Sequence, residues 1–250
     1  MPGLDAIDWS RLQGPYGKSG EVPHAIRALW SDDAEARANA VTILQQNLWH
    51  QGAVYEVTAP AVPFVADAAL RNIVSREDRI WLVALLAWIA SGSSALRNHR
   101  GFLESWGHPV ADSDVQRELG WVRDAHEAVR RRLPDFLARL DVETDPSTQI
   151  VLALLAAQFP EDAEEARAHI LPLFEAERDG RRRLVLELAL AALGAEVDRE
   201  DLLSRLPRDY YDPDDLDELR RRLAAAGGRE VYRDILDNVV GVAIDVTPRR

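Results

Sequence analysis

The chain has 250 residues, with 30 basic and 42 acidic side chains for a net charge of −12, 47% hydrophobic residues and no cysteine. That apolar fraction supports a substantial core and excludes wholesale disorder. The missing thiols exclude disulfides, cysteine nucleophiles, iron–sulfur clusters and cysteine-ligated zinc. An acidic balance opposes extended contact with nucleic-acid phosphates, so the expected partner is a basic protein and not DNA or RNA.

The first thirty residues carry Asp5, Asp8, Arg11, Lys18 and Glu21 and lack an apolar run of signal-peptide length. The longest apolar stretch, residues 80–90, is too short to span a bilayer. The expectation is a cytoplasmic chain with no membrane association.

Helical spacing begins at residues 37–49, where Ala40, Val41, Leu44 and Leu48 share one stripe. Residues 58–70 follow as a helix. Residues 77–90 place Ile80, Ala84, Leu85 and Leu86 on another stripe behind a cap at Ser75. Residues 91–114 interrupt the pattern and read as a long loop. Further helices are expected over 115–140, 148–158, 163–177, 181–193, 216–226 and 229–238. Turns with Asp and Pro separate them, as at Asp145-Pro146-Ser147 and Pro160-Glu161-Asp162. The tail 239–246, rich in Val and Ile, is the one candidate for extended backbone. The fold class is all-α.

Four helices carry an apolar residue followed by proline: Val22-Pro23, Val62-Pro63, Leu133-Pro134 and Leu171-Pro172. They recur at about 40 residues, the middle interval being longer by an insertion, which is the period of a HEAT-type α-solenoid. Related patterns follow each proline, including Arg37-x-x-Ala40-x-x-x-Leu44 and Arg183-x-x-Leu186-x-x-x-Leu190. The expected architecture is one right-handed solenoid domain over 1–250, its helix pairs each opening on a proline-kinked helix. Repeats would cover about 20–91 and 115–194, with an inserted loop at 91–114 and a helical C-terminal cap at 195–250. The alternative is a non-repeating helical bundle that happens to contain four prolines.

Three segments carry a resemblance. Leu29-Trp30-Ser31-Asp32-Asp33 with Arg37-x-x-Ala40, then Leu48-Trp49-His50-Gln51-Gly52-Ala53-Val54-Tyr55, then Thr58-Ala59-Pro60-Ala61-Val62-Pro63-Phe64-Val65 resemble bacterial HEAT-repeat proteins of the PBS-lyase-like type, common in actinomycetes. The resemblance covers about residues 7–193. It implies an α-solenoid used for protein interaction, with no lyase activity and no catalytic residue to carry over.

No phosphate-loop, dinucleotide, zincin or serine-hydrolase motif occurs, so no cofactor is expected. Three places remain as partner-binding candidates. The first is the turn holding Trp49, His50, Gln51 and Tyr55; its plainer reading puts Gly52 just past a helix end, with Trp49 packed on the next helix and His50 and Gln51 satisfying helix-end carbonyls. The second is the 91–114 loop with His99, Arg100, Trp106 and His108. A metal there would need His99 and His108 with Glu104 or Asp112, a spacing that matches no stereotyped ligand pattern, so none is assigned. Its plainer reading is a lid whose Phe102, Leu103 and Trp106 cover the core. The third is the pair Tyr210 and Tyr211, which reads as exposed and suited to an interface.

The triplets Arg130-Arg131-Arg132, Arg181-Arg182-Arg183 and Arg220-Arg221-Arg222 could bind phosphate. Acid-first pairs at i, i+4 (Glu127–Arg131, Glu177–Arg181, Asp217–Arg221, Glu218–Arg222) instead suggest internally neutralised helix faces. His24, His126 and His169 stand singly and carry no signal. Function therefore reads as a non-enzymatic protein-interaction scaffold or adaptor, binding on a concave face and the 91–114 loop. Two alternatives stand beside it: an acidic immunity-type inhibitor of a basic toxin, and a HEAT-like DNA-repair glycosylase or lyase using Trp106, His108 and nearby carboxylates.

Overall fold

The computed structural model describes residues 3–71, 74–225 and 228–244. The chain forms two compact units, one up to Asp135 and one from Phe136 onward. Both are built of helices that pack against sequence neighbours, with two short hairpins in the first.

In the first unit, two short 3-10 turns lead into a two-residue hairpin, β1 (Gln13–Gly14) with β2 (Gly17–Lys18). Helices α1 (Val22–Ala28) and α2 (Ala34–Leu48) pack together, as do α3 (Thr58–Leu70) and α4 (Arg76–Ala90). Between α2 and α3 the chain makes a second hairpin, β3 (Trp49–His50) with β4 (Ala53–Val54). Then come α5 (Ala95–Ser105) and α6 (Asp112–Arg130), the latter lying against both α3 and α4. Helix α4 is apolar around most of its circumference, with Ile80, Leu82, Val83, Leu85, Leu86 and Ile89 all buried. Such a helix has no face to give to water and sits between neighbours. Ser75 caps it, accepting from the Asp78 N–H at 3.0 Å, as its position in the sequence suggests.

The second unit contains α7 (Leu133–Val142, from Phe136 on), α8 (Pro146–Ala157), α9 (Ala163–Ala176), α10 (Gly180–Ala192), α11 (Arg199–Ser204), α12 (Pro213–Ala224) and α13 (Gly228–Val239). Helix α10 packs against α8, α9 and α13, so its Leu184–Ala192 run is buried almost throughout. Asp145, Asp179, Asp198 and Asp212 cap their helices through side-chain oxygens. Asp212 adds a reciprocal bond with Asp215, a complete capping box.

Several expectations change. The single helix over 115–140 is two, because Pro134 has no N–H for the Arg130 carbonyl and its ring would strike it; α6 stops and α7 restarts with Pro134 in its first turn. Pro23 is likewise in the first turn of α1, so only Pro63 and Pro172 lie inside helices. Val240–Val242 forms a 3-10 turn where extended backbone was the candidate, and residues 245–246 of that stretch lie outside the described residues. So does Ala226, the last residue of the helix expected over 216–226. The largest change is at 91–114, where the expected loop contains helix α5 and the start of α6.

Candidate interaction surface

Trp49 ends α2, its N–H bonded to the Gln45 carbonyl, and at once opens a hairpin that runs to Val54, so Gly52 serves the hairpin turn and not the helix terminus. Gln51 (φ 51°) and Gly52 (φ 82°) both adopt left-handed backbone, the requirement of a two-residue type I′ turn, so Trp49 pairs with Val54 and His50 with Ala53. Trp49 does pack on the next helix pair: its ring stacks on Trp88 of α4 at 5.4 Å, and Trp81 stands 6.4 Å from Trp88. His50 faces Tyr16 of the first hairpin edge-on at 5.2 Å, with the Tyr16 hydroxyl 3.3 Å from Nδ1. Tyr16 is exposed, and so is Gln51. Tyr55 is half-buried; burial raises its hydroxyl pKa above the ordinary value, and the nearby Glu118 and Tyr16 act in the same direction.

The hairpin is tied to the start of α5. Ser93 donates through both N–H (2.9 Å) and Oγ (2.8 Å) to the Gly52 carbonyl, and its own carbonyl accepts from the Val54 N–H at 3.1 Å. Gly92 permits that approach. A Cβ there would lie 2.5 Å from Val54 Cγ1 and 3.1 Å from the Ile89 carbonyl. The first two candidate segments are thus contiguous.

Helix α5 is pinned by polar contacts at both ends. Ser94 accepts from the Arg97 N–H at 3.0 Å and donates to Glu118 Oε2 at 2.6 Å; the same oxygen accepts from the Leu96 N–H at 2.8 Å. Glu118 is a buried carboxylate of α6, so its charge meets the positive end of the α5 dipole. At the other end Gly107 (φ 80°) completes a Schellman motif, with His108 N–H on the Leu103 carbonyl and Gly107 N–H on that of Glu104. Arg100 then clamps the return, donating to Glu104 (2.9 Å) and Asp112 (2.7 Å).

No residue of α5 is buried. Phe102 and Trp106, one helical turn apart, are 60% and 70% exposed, with ring centroids 5.3 Å apart. They do not cover the core, as the lid reading expects. Around them His99, His108 and Arg97 are exposed, and the Arg97 side chain has no partner among the described residues. Two large aromatics left in water forgo roughly 2 kcal/mol of burial each. The helix is held in place by hydrogen bonds and ion pairs, so this aromatic face is presented and not merely uncovered by disorder.

Tyr210 and Tyr211 belong to the second unit. Tyr210 is 52% exposed, whereas Tyr211 is buried, correcting the exposed reading; burial raises its hydroxyl pKa above the ordinary value. The two tyrosines therefore cannot act as a pair.

The arginine triplets find acids, mostly other than those their spacing suggests. Arg131 pairs with Glu127 at 3.3 Å as expected, but Arg182 takes Glu177, Arg220 takes Asp217 and Glu200, Arg221 takes Glu218 and Arg222 takes Asp234. Arg183 lies over the Phe174 ring at 3.9 Å, and only the Arg181 side chain of the nine has no partner among the described residues. Two of the single histidines make local bonds, His126 Nδ1 at 2.9 Å from the Ala90 carbonyl and His169 Nδ1 at 2.6 Å from Asp141.

Among the described residues no three His, Asp or Glu side chains converge as metal ligands, and both Glu104 and Asp112 are engaged by Arg100. No helix among them is long and apolar enough to cross a membrane. His99, Arg100, Trp106 and His108 stand out in the sequence, whereas Glu118 as the anchor of α5 and Phe102 as the exposed partner of Trp106 do not. Ser94 as a cap, Gly107 just past the end and Phe102–Trp106 at i, i+4 were the available signals of a helix. No family model, no curated protein and no solved structure matches this chain.

Proposed function

We propose that this chain is a non-enzymatic protein-binding scaffold, with the outer face of α5 as its principal contact. The observation that carries this reading is the Phe102–Trp106 pair, exposed on a helix that buries no residue yet is fixed at both ends. Aromatic anchors on a pre-ordered element bind with little loss of conformational entropy, which is the usual character of interface hot spots. The adjoining hairpin extends the surface through His50, Gln51 and Tyr16.

A HEAT-like α-solenoid is the architecture that goes with this function. Its support is the packing order inside each unit: α1 with α2 and α3 with α4, α2 beside α4 and α3 beside α6, then α8, α10 and α13 side by side. A basic partner is the natural complement of a −12 chain. The cytoplasm and a bacterial source belong to the same proposal.

The test is affinity capture from source-cell lysate by the tagged chain and by its Phe102→Ala/Trp106→Ala variant, at low and high salt. A stoichiometric protein captured by the first and lost by the second is the expected result. A partner set unchanged by the double substitution would remove α5 from the account.

A further inference from the structure

A groove of about 560 Å³ lies between α3 and α6 in the first unit. Ala59, Pro60 and Pro63 of α3 form one wall, and Trp121 and Ala128 of α6 the other. Pro63 sits inside its helix and has no N–H, so the Ala59 carbonyl lacks its α-helical donor. Glu56 and Asp124 also line the groove.

Its charges are unequally satisfied. Arg132 is held by Asp67 (2.8 Å), Asp135 (2.9 Å) and the Pro63 carbonyl (3.3 Å), and Arg131 by Glu127. The two acids have no such complement. Glu56 accepts only the Gln13 N–H at 3.1 Å, and Asp124 has no partner among the described residues. The uncompensated charge of the groove is therefore negative. The Arg117 guanidinium, paired with Asp114 at 2.8 Å, lies 5.9 Å from the Trp121 ring centroid without lining the groove, while the indole itself forms part of the groove wall.

We propose that this groove is a docking site for a basic segment of a partner protein, receiving an arginine side chain between Trp121 and the Glu56 and Asp124 carboxylates. A donor-rich planar cation matches two carboxylates, an under-used carbonyl and an aromatic wall, and the apolar floor takes the stem of the side chain or an adjacent apolar residue. The site shares with the α5 reading only the premise that the occupant is a protein. It uses different residues, so either can fail alone.

The experiment titrates the full chain with acetyl-Leu-Arg-Leu-Arg-amide and, as a control, acetyl-Leu-Glu-Leu-Glu-amide, following the indole N–H resonance of Trp121 assigned with Trp121→Phe. The expected result is a saturable shift with the arginine peptide alone. Glu56→Gln/Asp124→Asn should weaken it about fivefold or more, while Asp32→Asn/Glu35→Gln, which removes the same charge from an exposed part of the same unit, should leave it within about twofold. The other tryptophan resonances report whether each variant is folded. Equal weakening in both variants would mean attraction to net charge and would overturn the proposal, as would binding that leaves Trp121 unmoved.

Discussion

Asp237 of α13 gives the second unit a pH-dependent weakness. Its carboxylate lies 3.4 Å from the side-chain nitrogen of Gln158, a fully buried residue just past α8 that also donates to the Leu154 carbonyl at 3.2 Å. The other Gln158 atom, Oε1, is buried without a partner. Burial, reinforced by Asp234 and opposed by Arg233 and the Gln158 bond, raises the Asp237 pKa from 3.8 to about 6. The folded state thus holds a proton that the unfolded chain has released. Stability falls as pH rises from about 4 to about 6 and is level beyond, the opposite of a salt-bridged aspartate. The displacement corresponds to about 3 kcal/mol at most above pH 7. Asp237→Asn removes that ionisation and keeps an acceptor oxygen for Gln158 Nε2, so it should stabilise the second unit by about 2–3 kcal/mol near pH 7.5 and by little near pH 4. All seven tryptophans precede residue 122, so fluorescence reports only the first unit; denaturant unfolding should be followed by far-UV circular dichroism. A substitution effect that is the same at both pH values, or destabilising at the higher one, would refute the reasoning.

Other expectations concern the first unit. Phe102→Ala/Trp106→Ala removes exposed rings and should change stability by no more than about 0.5 kcal/mol by fluorescence-detected denaturation; a large loss would mean the rings are structural. Glu118→Ala deprives Ser94 and Leu96 of their acceptor, so hydrogen exchange should accelerate over α5 while α3 and α4 keep their protection, with about 1–2 kcal/mol of local destabilisation. Leu85→Ala empties a fully buried position and should cost about 3 kcal/mol, read from the same fluorescence transition. Gly92→Ala should cost about 1–3 kcal/mol, and adding Val54→Ala should recover part of it, since Val54 Cγ1 is the atom the new methyl meets; no recovery would place the strain at the Ile89 carbonyl.

Much of the helical content is legible from local chemistry. The helix expected over 58–70 matches α3 to the residue, and Ser75 caps the helix it precedes, because side-chain periodicity and orphan N–H groups are properties of a few consecutive residues. Helix ends are less so. Gln51-Gly52 makes a hairpin turn, although a left-handed glycine serves a helix terminus equally well, and only the pairing of Trp49 with Val54 distinguishes the two.

What neighbours a residue meets is not written in its own stretch of chain. Residues 91–114 read as a loop, and a loop sequence says nothing about whether another helix covers it, so Phe102 and Trp106 fit a lid and a partner-binding loop equally well. Tyr210 and Tyr211 are adjacent and chemically alike, yet one is exposed and one buried, because successive side chains point in different directions and the packed fold covers only one of them. Arg222 leaves the acid four residues before it for Asp234 on α13, since a partner brought near by packing competes with one offered by helical spacing. Composition and periodicity determined that this protein is helical and acidic. Tertiary packing alone decided which aromatic and charged groups remain unsatisfied at its surface, because burial and pairing depend on distances between segments far apart in sequence.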